Sequence, residues 1–179
     1  MIYGDQIRLR APEREDLPRF VAWLNDPQVR AGLKINLPLS HVMEEQWFEN
    51  MLKQPAEEHP MVIEIRQNDS WIPIGNCGFI DINWRIRSAQ VGIFIGDKSY
   101  WDKGCGTQVM QLLLRHGFET LNLNRIGLMV YENNPRAIRS YEKAGFTHEG
   151  RFRQGHFQDG EYIDIVIMSV LRDEWAGNN

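Results

Sequence analysis

Cysteine is scarce: Cys77 and Cys105 are the only two among 179 residues, and they lack paired CxxC spacing. That excludes a disulfide framework and a paired-cysteine zinc site, and makes a reducing cytoplasm the expected compartment. The first residues, "MIYGDQIRLRAPERED", contain no apolar stretch of the kind that directs export. No run approaches the roughly 18 apolar residues needed to cross a bilayer, so a membrane is not an expected partner. Blocks of basic charge are missing as well. Twenty Lys and Arg are scattered against 24 Asp and Glu, for a net charge of −4, which argues against nucleic acid as a partner. Neither an internal repeat nor a Ser, Gly or Pro linker interrupts the chain, so residues 1–179 are expected to form one domain with a sizeable core.

What is present is periodicity that changes along the chain. "DQIRLRAP" alternates as a half-buried strand does. Pro12 then opens a segment in which Leu17, Phe20, Val21 and Leu24 have helical spacing. Ser40 is suited to cap a second helix carrying Val42, Met43, Trp47, Phe48 and Met51, and "RAGLKINLPL" between the two helices reads as irregular. "MVIEIRQ", "WIPIGNCGFIDIN" and "AQVGIFIG" read as three meander strands. A long helix follows, with Met110, Leu113, Leu114, Gly117 and Leu121 on one stripe, and then the strand "RIGLMVY". "NPRAIRSYEKAG" is a helix with Pro135 in its first turn and Gly145 at its end. Two strands joined by "QDG" close the chain. The resulting order, β-α-α-β-β-β-α-β-α-β-β, is that of an α+β fold.

The stretch with the most chemical content is "YWDKGCGTQVMQLLLRHGF", residues 100 to 118. A Walker loop places its lysine after the second glycine, whereas Lys103 precedes Gly104. A dinucleotide fingerprint needs a third glycine where Val109 stands and a parallel βαβ unit, whereas the strands before this loop read as antiparallel. What remains is a strand end, a turn of small residues and a helix N-terminus, whose unpaired N–H groups favour an anion.

"YWDKGCGTQ" after "VGIFIG", followed by "NPRAIRSYEKAGF", resembles the GNAT family of acetyl-CoA-dependent N-acetyltransferases, whose diphosphate loop runs Q/R-x-x-G-x-G/A. "IRLRAPEREDLPRFVAWLNDPQV" and "HEGRFRQGHFQDGEYIDIVIMSVL" resemble the branch of ribosomal-protein N-terminal and spermidine acetyltransferases, so the likeness spreads over the whole chain. It implies a GNAT fold, a mixed and mostly antiparallel sheet of about seven strands flanked by about four helices. It implies acetyl-CoA as co-substrate, with the backbone of Lys103, Gly104, Cys105, Gly106 and Thr107 on the diphosphate and Lys103 adding charge. Trp101 stands at the family's Q/R position, and Asp102 where many relatives have glycine. A carboxylate facing the diphosphate would weaken binding, so Asp102 is expected to turn outward. Phe94 and Ile95 would pair with the pantetheine arm, with a strand N–H polarising the thioester carbonyl. The family pattern N-x-x-A-x-x-x-Y falls on Asn134, Ala137 and Tyr141. Tyr141 would be the general acid, Asn134 a contact to coenzyme A and Lys143 a neighbour of its phosphates.

The chemistry such a site must perform is defined by two pKa values. A lysine-like amine, with a pKa near 10.4, is neutral in only about one molecule in two thousand at pH 7, so its proton must be removed before attack. The departing thiolate, of pKa roughly 8.5, needs a proton, which a tyrosine hydroxyl can supply. The family's usual basic glutamate is Gln90 here, and an amide cannot accept a proton. Asp81, Glu64 and Glu132 are the acidic candidates, each expected at the surface, and a water chain is the alternative. Cys105 as a nucleophile would require the loop to abandon its phosphate, and it reads as a small residue that fits. His148, His156 and Cys77 lack zinc-like spacing and read as structural. The resemblance implies a small-molecule amine (a polyamine, an amino sugar or an aminoglycoside) or a protein N-terminus as acceptor. Glu44 and Glu45, which could attract a polyamine, read as a solvated pair on a helix face. The resemblance also implies a homodimer or larger homo-oligomer. The other functional reading, motivated by Gln90, is a coenzyme-A-binding regulatory or scaffold module without catalysis.

Overall fold

A computed structural model describes residues 1–35 and 37–175. Its elements in chain order are β1 (Ile2–Tyr3), β2 (Ile7–Arg10), α1 (Leu17–Leu24), α2 (Pro27–Arg30), α3 (His41–Met51), β3 (Met61–Gln67), β4 (Ser70–Asn83) and β5 (Ser88–Ile95). They continue as α4 (Cys105–Arg115), β6 (Arg125–Tyr131), α5 (Pro135–Ala144), β7 (Thr147–Gln158) and β8 (Glu161–Leu171). The hydrogen-bonded strand order is β1-β2-β3-β4-β5-β6-β8-β7. Among the described residues there are thus eight strands and five helices, one more of each than the sequence suggested. The extra elements are β1, of two residues, and α2, of four, both too short for periodicity to reveal. The chain divides into two compact units, Met1–Phe79 with Gly92–Cys105, and Ile80–Val91 with Gly106–Asn179.

In the first unit, β2, β3 and β4 form an antiparallel ladder, with Leu9 opposite Ile63 and Val62 opposite Asn76. Leu17, Phe20 and Leu24 of α1 pack with Phe48 and Met51 of α3 and Val62 of β3. The helix faces expected from spacing hold for α1 but not for α3. There the buried stripe is Glu44, Phe48 and Met51, while Val42 is 76% exposed and Met43 47%. Ser40, accepting from Met43 N at 3.2 Å, caps α3 as expected. The i, i+4, i+7 stripe running from Glu44 through Phe48 then determines which side faces inward. Trp47 sits at the margin, its ring 6.2 Å from Phe20 in an edge-on pair.

Glu64 is a second departure, since it is buried rather than at the surface. Arg8 lies opposite it in the ladder, and Arg8 Nε and Arg10 Nε donate to its two oxygens at 2.5 and 2.8 Å. Arg10 also forks onto Asp16 at 2.7 and 2.8 Å. Burial opposes ionisation of Asp16, but its bonds from Arg10 and from Glu13 N outweigh this and hold its pKa below the usual range. A buried carboxylate is tolerable when its lone pairs are filled by guanidinium donors in this way.

In the second unit, β6 and β8 are antiparallel from Arg125 opposite Leu171 to Tyr131 opposite Ile165. β7 and β8 form a hairpin through Asp159 and Gly160, whose φ angles of 52° and 87° suit a two-residue turn. β5 runs parallel to β6 over Ser88–Gln90, opposite Arg125–Gly127. The β5-α4-β6 connection is therefore a parallel crossover, and exclusion of the dinucleotide fingerprint rests on Val109 alone. α4 buries Val109, Met110, Leu112, Leu113 and Leu114. It ends at Arg115 in a wider turn over His116–Thr120 that buries Gly117 and Phe118 and leaves Leu121 beyond the helix.

Candidate acetyl-transfer site

The end of β5 is held at several points within the first unit. Gly96 N and Asp97 N both donate to Ile74 O, at 2.8 and 3.1 Å. A Cβ on Gly75 would lie 2.1 Å from Phe94 O, so glycine is required for this close approach. The indole of Trp101 donates from Nε1 to Ile95 O at 2.8 Å. Trp101 thus ties the loop back onto the strand that precedes it, through the carbonyl of a residue expected to face the pantetheine arm.

From Trp101 the chain turns through Asp102 and Gly104, at φ 58° and 79°, both in the left-handed region. Relatives with glycine at the position of Asp102 meet that requirement without a Cβ. Asp102, Lys103 and Gly104 are exposed. The Lys103 ammonium lies 5.6 Å from the Tyr100 ring centroid, which keeps it beside the loop. Cys105 begins α4 and is buried. Burial pushes its thiol pKa up despite Lys103 and a backbone hydrogen bond, the opposite of what an activated nucleophile needs. The loop has room for an anion: residues 102–104 are exposed just before an eleven-residue helix, and no atom lies within 4 Å of a Cβ built on Gly104.

In the second unit the start of α4 is fastened to α5. Thr107 Oγ1 lies 3.0 Å from Ser140 Oγ and 3.3 Å from Ser140 O. A Cβ on Gly106 would stand 3.0 Å from Ser140 Oγ. The two motifs singled out in the sequence therefore meet at Ser140, one residue before Tyr141, a contact the sequence reading did not foresee. The available signal was the pair of small residues Ala137 and Ser140, three apart on one helix face, which permits close helix approach. Asn134 caps α5 by accepting from Ala137 N at 3.1 Å, which occupies its oxygen and leaves its amide donors. Gly145, at φ 105°, ends the helix as expected, and Lys143 is exposed. The Tyr141 ring lies 6.0 Å from Phe146, and burial pushes the Tyr141 hydroxyl up to about 12, opposed by Arg136.

Two of the acidic candidates for a base are paired with arginines and the third is exposed. Glu64 is occupied by two arginines, Glu132 is exposed and paired with Arg151 at 3.0 Å, and Asp81 is exposed in a left-handed turn. The Gln90 amide packs against Gly127, where a Cβ would come within 3.0 Å of Nε2. The residues weighed as metal ligands have other occupations. His148 pairs with Glu142 at 2.9 Å, His156 stacks on Tyr131 with centroids 4.0 Å apart, and the Cys77 thiol is raised by burial.

The acetyltransferase (GNAT) domain family matches residues 6–147. The chain belongs to the GNAT family. GNAT proteins similar to it over nearly their full length include the spermidine N(1)-acetyltransferase of Vibrio cholerae, 32% identical over 98% of this chain and 99% of the relative. Another, from Bacillus licheniformis, is N-acetyltransferase p20, at 30% over 98% of both chains. The crystal structure of the Vibrio cholerae spermidine N-acetyltransferase with CoA and spermine superposes with a TM-score of 0.86 at 29% identity, covering 96% of this chain and 98% of that one. The chain is accordingly an acetyl-CoA-dependent N-acetyltransferase with the GNAT fold, and the reading as a non-catalytic module is set aside. No helix among the described residues is long and apolar enough to cross a membrane.

Proposed function

We propose that this GNAT enzyme acetylates a primary amine by direct attack on acetyl-CoA, with Tyr141 as general acid. The observation that carries the assignment is the place of half-buried Tyr141, next to Ser140 on the helix bonded through Ser140 to the start of α4, with desolvation pushing its hydroxyl up to about 12. A phenol of that pKa remains protonated through the working range, so it is present as a donor when a thiolate of pKa roughly 8.5 departs. The backbone of residues 103–107 holds the diphosphate and Lys103 adds charge, while the Asn134 amide donors and Lys143 serve the rest of coenzyme A. Phe94 and Ile95 pair with the pantetheine arm, and they lie outside the stretch of β5 in parallel register with β6. With Glu64 and Glu132 paired with arginines, the amine loses its proton to water. Polyamines head the list of acceptors because the named relatives act on spermidine, followed by protein N-termini. A homodimer or larger assembly is part of the same reading.

The test is an acceptor panel with acetyl-CoA, read by mass spectrometry, with Tyr141→Phe as the paired variant. Loss of a positioned general acid lowers kcat by about 10² to 10⁴. A folded phenylalanine variant with wild-type kcat would refute the role of Tyr141.

A further inference from the structure

In the second unit, Tyr131 is opposite Ile165 of β8, and His156 is opposite Ile163, two residues away on the same face of the sheet. The two rings stack, with centroids 4.0 Å apart and planes tilted by 8°. Contact through the face fixes the plane of the imidazole and leaves its edge untouched. Neither nitrogen of His156 has a hydrogen bond or an ion pair with a described residue. By contrast, His59 bonds to Gln54 O at 2.9 Å and His148 pairs with Glu142. The His156 side chain is half-buried, so it is held in place and still open to solvent. A bulge puts it there: the pairing of β7 with β8 shifts between Phe152 and His156, and Gln154 is left-handed at φ 52°. Such a bulge re-aims the side chains that follow it.

The stack stands where a ligand of this sheet is expected. Tyr131 ends β6, four residues beyond Gly127, where the parallel register with β5 stops. Ligands of parallel strands bind outside their carboxyl ends. The Tyr131 carbonyl accepts from Asn134 N at 3.0 Å, and Asn134 caps the helix that carries Tyr141. The Tyr131 hydroxyl is buried and has no hydrogen-bond partner among the described residues. An orphaned buried hydroxyl is costly, so it marks this strand end as a place where a polar group arrives. Imidazole is the side chain whose ordinary pKa lies nearest working pH, and its unprotonated nitrogen is a proton acceptor.

Resting on the proposed amine acetylation, we infer that His156 is its general base, taking the acceptor's proton on an imidazole nitrogen and passing it to water. One N–H bond of the ammonium breaks as the proton bonds to that nitrogen. The neutral amine attacks the thioester carbon, the C–N bond forms and the C–S bond breaks. The sulfur takes the Tyr141 proton, and the Tyr141 oxygen recovers one from the nitrogen that becomes the amide. The half-buried imidazolium then gives its proton to solvent. One amine proton thus ends in water and one on coenzyme A. Tyr131 acts through the ring it holds and is a positioning residue. Beside His156 on its own face lies Glu161, and Arg153 is in the bulge itself. Arg125 and Glu149, paired with each other, are at the far end of that face. Glu132 and Asp164 alternate to the opposite face, where both pair with Arg151.

The experiment offers spermidine, n-butylamine and a glycyl peptide as acceptors to the wild-type protein, His156→Phe and Tyr141→Phe, from about pH 7 to about pH 9.5. Phenylalanine keeps a ring on Tyr131 and removes both nitrogens. A general base contributes about 10² to 10⁴, so kcat/KM for the acceptor at neutral pH is expected to fall about tenfold or more in H156F. KM for acetyl-CoA should stay within about twofold of wild type. The deficit should shrink about threefold or more by the alkaline end, because hydroxide replaces the lost base and more of an amine of pKa near 10.4 is already neutral. A purely structural role would give the same deficit at every pH. A smaller fall at neutral pH, or a deficit constant across the range, in a folded H156F overturns the base. If H156F falls as expected while Y141F keeps wild-type kcat, the base stands and the general acid is refuted. If Y141F falls and H156F does not, the proposed function stands and the base is refuted. A wild-type protein that acetylates none of the three amines overturns both. Should H156F fail to fold, His156→Gln takes its place with the same expectations.

Discussion

Gly96→Ala tests how rigidly the end of β5 is held. A Cβ at residue 96 would lie 2.1 Å from Trp23 Cδ2, 2.3 Å from Cγ and 2.5 Å from Cε3. Carbon atoms in contact sit about 3.5 to 4.0 Å apart, so roughly 1.5 Å of retreat must come from the indole or from the backbone. The backbone is fastened by Gly96 N and Asp97 N to Ile74 O, and by Trp101 Nε1 to Ile95 O. The indole is held between Phe20 and Phe94, with centroids 6.2 and 6.4 Å away. Overpacking costs about 1–3 kcal/mol, and losing the two ring pairs adds about 0.5–1.5 kcal/mol each, for a total of about 2–6 kcal/mol. Urea unfolding followed by circular dichroism would show a midpoint about 1–3 M lower, at an m-value of about 2 kcal/mol/M. KM for acetyl-CoA should rise with it, since Phe94 and Ile95 immediately precede the distortion. In a Trp23→Ala background the same substitution meets open space, so the coupling energy should exceed about 1 kcal/mol. A Gly96→Ala protein within about 0.5 kcal/mol of wild type, or an equal penalty in both backgrounds, refutes this account of the strand end.

Asp102→Gly relieves a non-glycine residue at φ 58°, worth about 1 kcal/mol, and should raise Tm by about 2–4 °C by calorimetry. It also removes a negative charge from the loop, so acetyl-CoA should bind tighter at low salt, and the gain should shrink at 0.5 M salt. Tyr141 gives a pH signature. Its folded pKa of about 12 lies above the unfolded value near 10, so its stabilising contribution is complete below pH 10 and is lost as pH rises from 10 to 12. That contribution is about 3 kcal/mol, and Tyr141→Phe should lack this part of the alkaline decline in the urea midpoint.

The parts of this fold visible in the sequence are those where a local rule has one outcome. Ser40, Pro135 and Gly145 stand at helix ends as their chemistry requires, and Asp159-Gly160 makes the turn it suggests. The alternation of β2 and the stripe of α1 survive because one face is buried and the other is not. The errors arise where long-range partners decide. Glu64 looked like a surface residue because Arg8 and Arg10, which bury it, lie more than fifty residues earlier. On α3, apolar residues fall on both sides of the helix, so periodicity could not choose between Val42 and Glu44. Ser140 carried no motif of its own, and only the approach of α4 gives it a partner. At the loop, local spacing led to an anion, and the family resemblance led to coenzyme A.

Trp101 has an implication for how long a ligand can be. A chain that pairs with β5 as an added strand takes its hydrogen bonds from successive peptide groups, and its reach along the protein is counted in those rungs. At Ile95 the carbonyl already carries an indole N–H. An extended ligand arriving there must share that oxygen or dislodge the ring, and dislodging it would release the start of the loop. If the arm pairs with β5 as proposed, the tryptophan would act as a stop on a ruler at Ile95. The loop and the strand end would then be set to one length of ligand together, by the same side chain.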